Sequence, residues 1–376
     1  MRELAARLIL VLVSTLIGLL VCEVVLRLYL GWHDPATADV EQRLENSRQA
    51  SPDQAFGRGS LKGLVRPSSD PEVIYELKPR LQGRFLGQPF VINSLGLRGR
   101  EVLPAKPPGT LRIAGLGDSV MFGWGVGQSE TYLEILERRL HEELPGPRPA
   151  ADRAEPRRYE ALNFAVPGYN TAMEAAVFET KVLGFEPDLV ILQVIHNDLE
   201  LPPFLCEPRR VWSLDRSVLL DLVRDGRRTL VERHRSRLAY RDKLARIESA
   251  PALERYRHME GEAGFRRAMA RLAALAREHS LPVLVMTDGT SGDPWNLVHE
   301  VVKEHGFHAL VTEPYYGAYL EQHGIERSPE GWAQTFFISR RDQHPNAVGH
   351  RVLAGALLDK IEEEKLLPSS SSQREP

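Results

Sequence analysis

The sequence has little cysteine and lacks the short motifs that bind a redox partner or a nucleotide phosphate. Its 376 residues include only two cysteines, Cys22 and Cys206, which lie far apart and exclude a disulfide framework. Neither a Cys-x-x-Cys pair nor a phosphate-binding Gly-Lys-Ser/Thr loop occurs. The formal net charge of −3 gives no electrostatic footprint for nucleic acid, so we expect no such partner. With 43% hydrophobic and 26% charged residues, the composition is that of an ordinary globular protein.

Two further patterns resemble cofactor sites but have the wrong geometry. Gly115-Leu116-Gly117 follows an apolar run, as a dinucleotide-binding loop would, yet Val120 stands where the third glycine belongs. His299 and His305 are six residues apart on a predicted helix, so they point about 240° away from one another and cannot share a metal through one face. We therefore expect neither a cofactor nor a metal.

The N-terminal segment is a long apolar run. Between Arg7 and residue 30 it carries only two charges, Glu23 and Arg27, whose i, i+4 spacing puts them on one helix face. A helix needs about 20 apolar residues to cross the hydrocarbon core of a bilayer. Arg2 and Arg7 favour an N-terminus in the cytoplasm. We predict a signal anchor over residues 1–30 in a single-pass membrane protein whose main domain is extracytoplasmic, on the periplasmic side. A cleaved signal peptide is the alternative.

The composition of the remaining sequence predicts a linker, one domain and a C-terminal tail. Residues 31–70 are polar and predict a linker, residues 71–367 form one domain, and the Ser-rich residues 368–376 predict a disordered tail. A stretch at 199–260 interrupts the domain and is interpreted as a helical insertion. Between residues 209 and 246 it has 12 Lys or Arg against 5 Asp or Glu. This basic stretch either contacts an anionic membrane surface or anionic substrate, or is a helical excursion with a solvated face.

The domain alternates between strand-like and helix-like segments, which predicts an α/β fold with a parallel, doubly wound, five-stranded sheet. Residues 71–105 predict a short β lead-in, and residues 313–341 are expected to be irregular. The predicted strands are Leu111–Leu116, Tyr159–Val166, Leu189–Ile195, Leu281–Met286 and Phe307–Thr312. The predicted helices are Thr131–Leu144, Thr171–Leu183, one through Phe265 and Ala276, one that starts at Asp293-Pro294, and Asn346–Glu363.

Polar motifs follow three of these strands directly. Ser119, Gly168 and Asn197 each come just past a strand end, and the carboxyl ends of parallel strands meet at one edge of a sheet. Asp342 and His344 lie near the C-terminus of the same domain. Together these residues supply a hydroxyl, hydrogen-bond donors, an imidazole and a carboxylate, which are the components of serine-based acyl transfer.

Each residue has a predicted role in that chemistry. Ser119 would attack an acyl carbonyl after His344 removes its proton, and Asp342 would orient the imidazole and stabilise the imidazolium. The backbone N–H groups of Ser119 and Gly168 and the side-chain amide of Asn197 would form the oxyanion hole.

These motifs resemble the SGNH (GDSL) hydrolase family. The lead-in stretch Asn93-Ser94-Leu95-Gly96-Leu97-Arg98-Gly99 resembles its membrane-anchored bacterial members. Residues 112–119, Arg-Ile-Ala-Gly-Leu-Gly-Asp-Ser, are similar to the first block of the family, and Val166-Pro167-Gly168-Tyr169 to its glycine block. Asn197-Asp198 and Asp342–His344 are similar to the third and last blocks. The resemblance implies a flavodoxin-like three-layer α/β/α fold. It also implies ester hydrolysis or O-acyl transfer, with Ser119, Gly168, Asn197 and His344 as the family's four named residues.

The chain departs from the family pattern at two places. Ile195 stands where the third block usually has glycine, which changes the turn that follows. The last block usually spaces aspartate and histidine three residues apart, but Arg341 occupies that position and Asp342 is only two residues before His344. Asp288, after the fourth strand, is a second candidate for the carboxylate.

We predict a membrane-anchored serine esterase that forms a covalent acyl-enzyme on Ser119 and acts on a small acyl ester or a carbohydrate, such as O-acetyl esters of envelope carbohydrate. Two alternatives are an O-acyltransferase that uses the same site and a non-catalytic glycan-binding module on a hydrolase fold. The sequence leaves the oligomeric state open.

Overall fold

The computed structural model describes most of the chain, which forms two compact units. One unit comprises Met1–Arg43 and Leu205–Glu254, and the other comprises Leu44–Phe204 and Arg255–Pro376. The described residues are 2–33, 61–144, 158–202, 217, 219–220, 251–340 and 342–368. Most of the predicted linker and of the basic stretch at 209–246, and the tail beyond 368, lie outside them.

The first unit contains one long helix, α1, over Arg2–His33. Its segment Ile9–Leu28 has a mean hydropathy of 2.8 and none of it is buried, so by length and composition this helix could cross a membrane. Glu23 and Arg27 form the predicted pair, with Arg27 Nε donating to Glu23 Oε1 over 2.7 Å. The second carboxylate oxygen of Glu23 accepts hydrogen bonds from Ser217 Oγ at 2.7 Å and from the backbone N–H of Leu219 at 2.8 Å. Residues 217 and 219 of the insertion are therefore hydrogen-bonded to the apolar helix within this unit.

The second unit opens with two antiparallel hairpins. The first pairs β1, Val65–Pro67, with β2, Tyr75–Leu77, and the second pairs β3, Leu81–Phe85, with β4, Gln88–Ile92. A 3₁₀ turn over Leu61–Gly63 precedes them. The first described element of this unit thus lies about ten residues before residue 71, which is where the predicted linker ends. It begins there because Leu64 and Val65 are fully buried.

Five parallel strands form the central sheet. In chain order they are β5, Thr110–Leu116; β6, Arg158–Asn163; β7, Leu189–Val194; β8, Val283–Thr287; and β9, His308–Val311. Their order across the sheet is β6-β5-β7-β8-β9, the flavodoxin-like order, and the direction of winding reverses at β5. Every residue of β5, β7 and β8 is buried, as expected of strands covered on both faces. The predicted doubly wound α/β fold is confirmed.

Helices cover both faces of the sheet. The helices Thr171–Thr180, Gly261–Glu278 and Trp295–His305 pack in a row, and the helix Tyr132–Glu143 packs against the helix Ala347–Glu364 and β6. Right-handed crossovers put these two groups on opposite faces, because the chain runs outward from β5 to β6 and then back to β7. The helices are α2, Ser119–Phe122; α3, Tyr132–Glu143; α4, Thr171–Thr180; α5, Gly261–Glu278; α6, Trp295–His305; α7, Glu313–Gln322; α8, Pro329–Phe336; and α9, Ala347–Glu364. Shorter 3₁₀ turns cover Gln128–Glu130, Val182–Phe185 and Pro251–Met259.

Three elements differ from expectation. The segment 313–341, predicted to be irregular, contains α7 and α8, and each of these helices starts with a proline in its first turn. Helix α6 begins at Trp295, with Pro294 in the capping position rather than inside the first turn. The described end of the insertion is a 3₁₀ helix, Pro251–Met259.

A fully buried arginine on β5 connects this strand to β6 and to the neighbouring loops. The Arg112 side chain is 0% exposed and donates to Glu160 on β6 over 2.7 Å. Its guanidinium also donates to the carbonyl oxygens of Leu103, Pro104 and Phe185 at 2.6 to 2.9 Å. The charge is therefore satisfied on several sides, which is what makes burial of an arginine tolerable.

Replacement of Arg112 by methionine is expected to lower the free energy of unfolding by about 3 kcal/mol, because Glu160 and three carbonyl oxygens lose their donor. The matched control is Arg139→Met, which removes the ion pair of Arg139 with Glu143 on the surface of α3. That change should cost no more than about 0.5 kcal/mol. Thermal unfolding of the three proteins in the same detergent measures the difference. Equal losses would contradict a central role for Arg112.

Candidate active site

The predicted nucleophile lies on a one-turn helix at the carboxyl end of β5. Asp118 caps that helix: its Oδ1 accepts from the backbone N–H of Val120 at 3.0 Å, and its Oδ2 accepts from Ser119 Oγ at 3.0 Å. Gly117 makes the turn possible, because a Cβ there would approach Met121 Cβ to 2.8 Å. Ser119 is 9% exposed. The Gly-Asp-Ser motif thus fixes the hydroxyl through the cap and the tight turn.

Ser119, His344 and Asp342 form one hydrogen-bonded chain. Ser119 Oγ and His344 Nε2 are 2.8 Å apart, and His344 Nδ1 lies 2.5 Å from Asp342 Oδ1. The ring's Nδ1 faces a carboxylate, so it carries the proton and Nε2 is the acceptor that faces the serine. Asp342 rather than Asp288 is the carboxylate partner of the imidazole.

Local turn geometry explains how a spacing of two residues suffices. Asp342 Oδ1 accepts a hydrogen bond from the backbone N–H of His344 at 3.2 Å, in the manner of an Asx turn. The same oxygen faces the imidazole of that histidine. Reciprocal backbone bonds between Ser339 and Asp342, at 3.1 and 3.2 Å, close the preceding turn. The carboxylate therefore folds back over its own backbone to reach the ring.

The hydroxyl of Ser119 has two acceptors within reach. It can donate to Asp118 Oδ2 at 3.0 Å or to His344 Nε2 at 2.8 Å. A hydroxyl carries a single proton, so it can serve only one of them at a time. Rotation of that proton from Asp118 to His344 is what would prepare the oxygen for attack.

The predicted oxyanion-hole residues follow three adjacent parallel strands. Gly168 follows β6 and has a left-handed φ of +84°, and a Cβ there would come within 3.0 Å of the Tyr75 hydroxyl. Asn197 follows β7 in a turn, and its Oδ1 is buried without a hydrogen-bond partner among the described residues. Ser119 follows β5, the strand between the other two. All three therefore come from the same edge of the sheet.

The turn that presents Asn197 does not require glycine. Asp198 Oδ2 accepts from the backbone N–H of Ile195 at 2.6 Å, and the Asp198 N–H donates to the Ile195 carbonyl at 3.1 Å. Ile195 is not among the residues with positive φ. A side chain therefore closes this turn, so the isoleucine at the position of the family's glycine is accommodated.

The lead-in segment, which comprises the two hairpins and the residues after them up to Arg98, contacts both active-site loops, and this was not predicted from the sequence. The Tyr75 hydroxyl donates to the carbonyl of Pro167 at 3.0 Å, and the Tyr169 hydroxyl donates to the carbonyl of Tyr75. Arg98 donates to the carbonyl oxygens of Phe122, Gly123 and Val126 at 2.6 to 2.8 Å, around the C-terminal end of α2. These contacts span long stretches of chain, and no local pattern signals them.

Buried carboxyl groups lie behind the site. Glu174 is 0% exposed, and neither of its carboxyl oxygens has a hydrogen-bond partner in the described part of the chain. Burial raises the pKa of Glu174 well above its ordinary value, and the charges of Asp198 and Asp118 raise it further. Burial and the charge of Asp118 likewise raise the pKa of Asp198. Glu174 is therefore held in its neutral form to a higher pH than an exposed glutamate.

No metal-binding cluster accompanies these groups. Within the described ranges, no three His, Cys, Asp or Glu side chains are arranged to hold a metal ion.

Fold and sequence together define the class. A flavodoxin-like sheet with a Gly-Asp-Ser turn after its first parallel strand and a histidine beside that serine is the arrangement of an α/β acyl hydrolase. Residues 116–352 match the GDSL-like lipase/acylhydrolase family, which covers more than half of the chain. The chain belongs to that family and is a hydrolase that acts on ester bonds.

Solved structures with similar folds include several esterases. An α/β hydrolase, LAE5, from the metagenome of Lake Arreo in Spain is 16% identical over 67% of this chain and 95% of its own, with a TM-score of 0.40. The acetylxylan esterase Axe2 from Geobacillus stearothermophilus is 14% identical over 67% and 94%, with a TM-score of 0.37. A two-domain esterase active on acetylated mannans is 14% identical over 71% and 53%, with a TM-score of 0.40. No curated protein sequence matches the chain.

Glu174→Gln is expected to remove a pH dependence of stability. An unfolded glutamate ionises near pH 4.5, whereas buried Glu174 stays protonated until a higher pH, so the wild type loses stability as pH rises between those two pKa values. Each unit of that difference corresponds to about 1.4 kcal/mol. Glutamine imitates the neutral acid, so the melting temperature of the variant relative to wild type should rise from pH 5 to pH 9.

The matched control is Glu179→Gln, on the exposed side of the same helix. It should leave the pH profile of the melting temperature unchanged. A parallel pH slope in Glu174→Gln and the wild type would show that Glu174 is not held neutral by the fold.

Proposed function

We propose that this hydrolase is a serine esterase in which Ser119 forms a covalent acyl-enzyme. The observation that supports the proposal most directly is the chain of two short hydrogen bonds, 2.8 Å from Ser119 Oγ to His344 Nε2 and 2.5 Å from His344 Nδ1 to Asp342 Oδ1. These distances meet the geometric requirement for an activated nucleophile, a base, and a group that orients the base.

In the first half of the reaction, His344 Nε2 takes the proton of Ser119 Oγ while that oxygen attacks the carbonyl carbon of the ester. The tetrahedral intermediate collapses, the bond from carbon to the alcohol oxygen breaks, and Nε2–H protonates the departing alcohol. In the second half, His344 Nε2 removes a proton from water while the water oxygen attacks the acyl carbon. The bond from that carbon to Ser119 Oγ then breaks, Nε2–H returns its proton to Oγ, and the acid leaves. Asp342 stabilises the imidazolium in both halves.

Three donors are proposed for the oxyanion of the intermediate: the backbone N–H groups of Ser119 and Gly168 and the side-chain amide of Asn197. Their origin at the carboxyl ends of three adjacent strands supports this assignment, as does the left-handed backbone of Gly168, a conformation that few other residues adopt readily. The loss of one such donor typically lowers turnover by about 10²–10³.

We propose short acyl esters as substrates, in particular O-acetyl groups on envelope carbohydrate. The location supports this proposal, because an apolar helix α1 that could anchor the chain would keep the enzyme near extracytoplasmic glycans. An O-acyltransferase would use the same residues, with a sugar hydroxyl in place of water. The two departures from the family pattern, which motivated a binding-only alternative, leave the hydrogen-bonded chain intact.

Ser119→Ala and His344→Ala should each lower kcat on p-nitrophenyl acetate by about 10⁴ or more, because the nucleophile or its base is gone. Asp342→Ala should lower kcat by about 10²–10⁴. Exposed Ser129 and His279 provide matched controls, whose alanine variants should keep wild-type turnover.

Full turnover in Ser119→Ala would refute the proposed nucleophile. If the wild type transfers acetyl to added glycan faster than to water, the protein is the acyltransferase.

The proposed location gives a separate prediction. In a Gram-negative host, the full chain should remain in the membrane fraction after an alkaline carbonate wash, since α1 holds it there. Protease added to spheroplasts should digest the main domain, because Arg2 and Arg7 favour a cytoplasmic N-terminus. Release into the soluble periplasmic fraction would instead indicate cleavage of the N-terminal segment, and protection from protease would indicate the opposite orientation.

A further inference from the structure

One aromatic side chain contacts both members of the histidine–aspartate pair. The Trp124 indole stacks on the imidazole of His344, with ring centroids 5.2 Å apart and an interplanar angle of 22°. Its Nε1–H donates to Asp342 Oδ2 over 3.3 Å. The other oxygen of that carboxylate faces His344. The two oxygens of Asp342 are therefore held from two sides, one by the ring it orients and one by tryptophan.

The indole is itself held by the segment that carries Ser119. The backbone N–H of Trp124 donates to the carbonyl of Ser119 at 2.9 Å. Arg98 binds the carbonyl oxygens of Phe122 and Gly123, just before the tryptophan. Phe85 on β3 packs edge-on against the indole, with centroids 4.7 Å apart. Trp124 is thus a direct link between the nucleophile's own backbone and the acid–base pair.

Such a link matters because this pair is partly open to water. The side chains of His344 and Asp342 are 28% and 30% exposed. Water competes for a carboxylate at that exposure and weakens its hold on the imidazole. An indole N–H is a donor only, so it can orient the carboxylate but cannot take the proton in place of His344. The stacked ring also shields one face of the imidazole.

We propose that Trp124 is a positioning residue that keeps Asp342 in line with Nδ1 of His344 and so keeps Nε2 directed at Ser119. The inference rests on the proposed function, because it assigns Trp124 a role through the predicted base and its carboxylate.

The kinetic test is a double-mutant cycle in the full-length protein. Trp124→Phe keeps an aromatic ring beside His344 and removes the N–H donor. We expect kcat on p-nitrophenyl acetate to fall about 10-fold, the typical effect of losing a hydrogen bond to a charged group, with KM unchanged. In an Asp342→Ala background the same substitution should change kcat less than about twofold, because the group through which tryptophan acts is absent. Trp332→Phe is the matched control: Trp332 packs against Tyr316 and Phe336, and its variant should keep wild-type kcat.

A spectroscopic test does not depend on turnover. The proton on His344 Nδ1 lies in a short hydrogen bond to Asp342 and should give a proton NMR signal far downfield of the amide region. That signal should be present in wild type and Trp332→Phe, and lost or broadened in Trp124→Phe. Should Trp124→Phe fail to fold, Phe85→Leu replaces it. That variant removes the ring packed against the indole and should weaken the same signal.

Three results would overturn the inference: wild-type kcat in Trp124→Phe, an equal loss in the presence and absence of Asp342, or an unchanged downfield signal. Failure of the proposed function is recognised separately. If Ser119→Ala retains turnover, the serine mechanism is wrong, while the downfield signal still decides whether Trp124 holds Asp342 against His344.

Discussion

The parallel register of β5 with its two neighbours is the constraint on which the site depends. Gly115 on β5 lies opposite Asn163 on β6 and Ile191 on β7. Strands β5 and β6 end within one residue of this level, and β7 continues for three residues beyond it. The three predicted oxyanion-hole residues, Ser119, Gly168 and Asn197, follow Gly115, Asn163 and Ile191 by four, five and six residues. Hydrogen bonds between buried strands therefore determine where the loops begin, and short turns such as the Gly-Asp-Ser turn then place the side chains. A shift in this register would separate the loops before any active-site side chain changed.

The lead-in segment up to Arg98 lies outside the matched family segment 116–352, yet it supports the loops within it. Tyr75 bonds to the carbonyl before Gly168, and Arg98 bonds to the carbonyls that end α2. Phe85 packs against Trp124. These three contacts support the Gly168 loop, the end of α2 and the Trp124 indole, respectively. The N-terminal strands are thus integral to the hydrolase domain, and its working boundary lies well upstream of the family motifs.

Much of the fold was predictable because buried parallel strands are continuous apolar runs, and the polar residues at their ends stand out. The pairing of Asp342 with His344 was also predictable, since it depends on residues two apart. The contacts of Trp124 were not, because 218 residues separate it from Asp342. The same holds for Tyr75, which is 92 residues from Pro167. Pairings at such separations depend on the completed tertiary structure, and nothing in the local sequence marks them.

The helix that carries Ser119 is one turn long, and a single turn has little stability of its own, because nucleation of a helix is unfavourable. Asp118 accepts a hydrogen bond at the N-terminal end of this helix, and Arg98 donates to carbonyl oxygens at its C-terminal end. A negative charge at the N-terminus and a positive charge at the C-terminus both interact favourably with the helix dipole. The helix that carries the nucleophile is therefore held at both ends by hydrogen bonds to charged side chains. The position of Ser119 therefore depends on Arg98 as well as on its own loop, so a substitution at Arg98 would reach the nucleophile without changing any residue proposed to react with substrate.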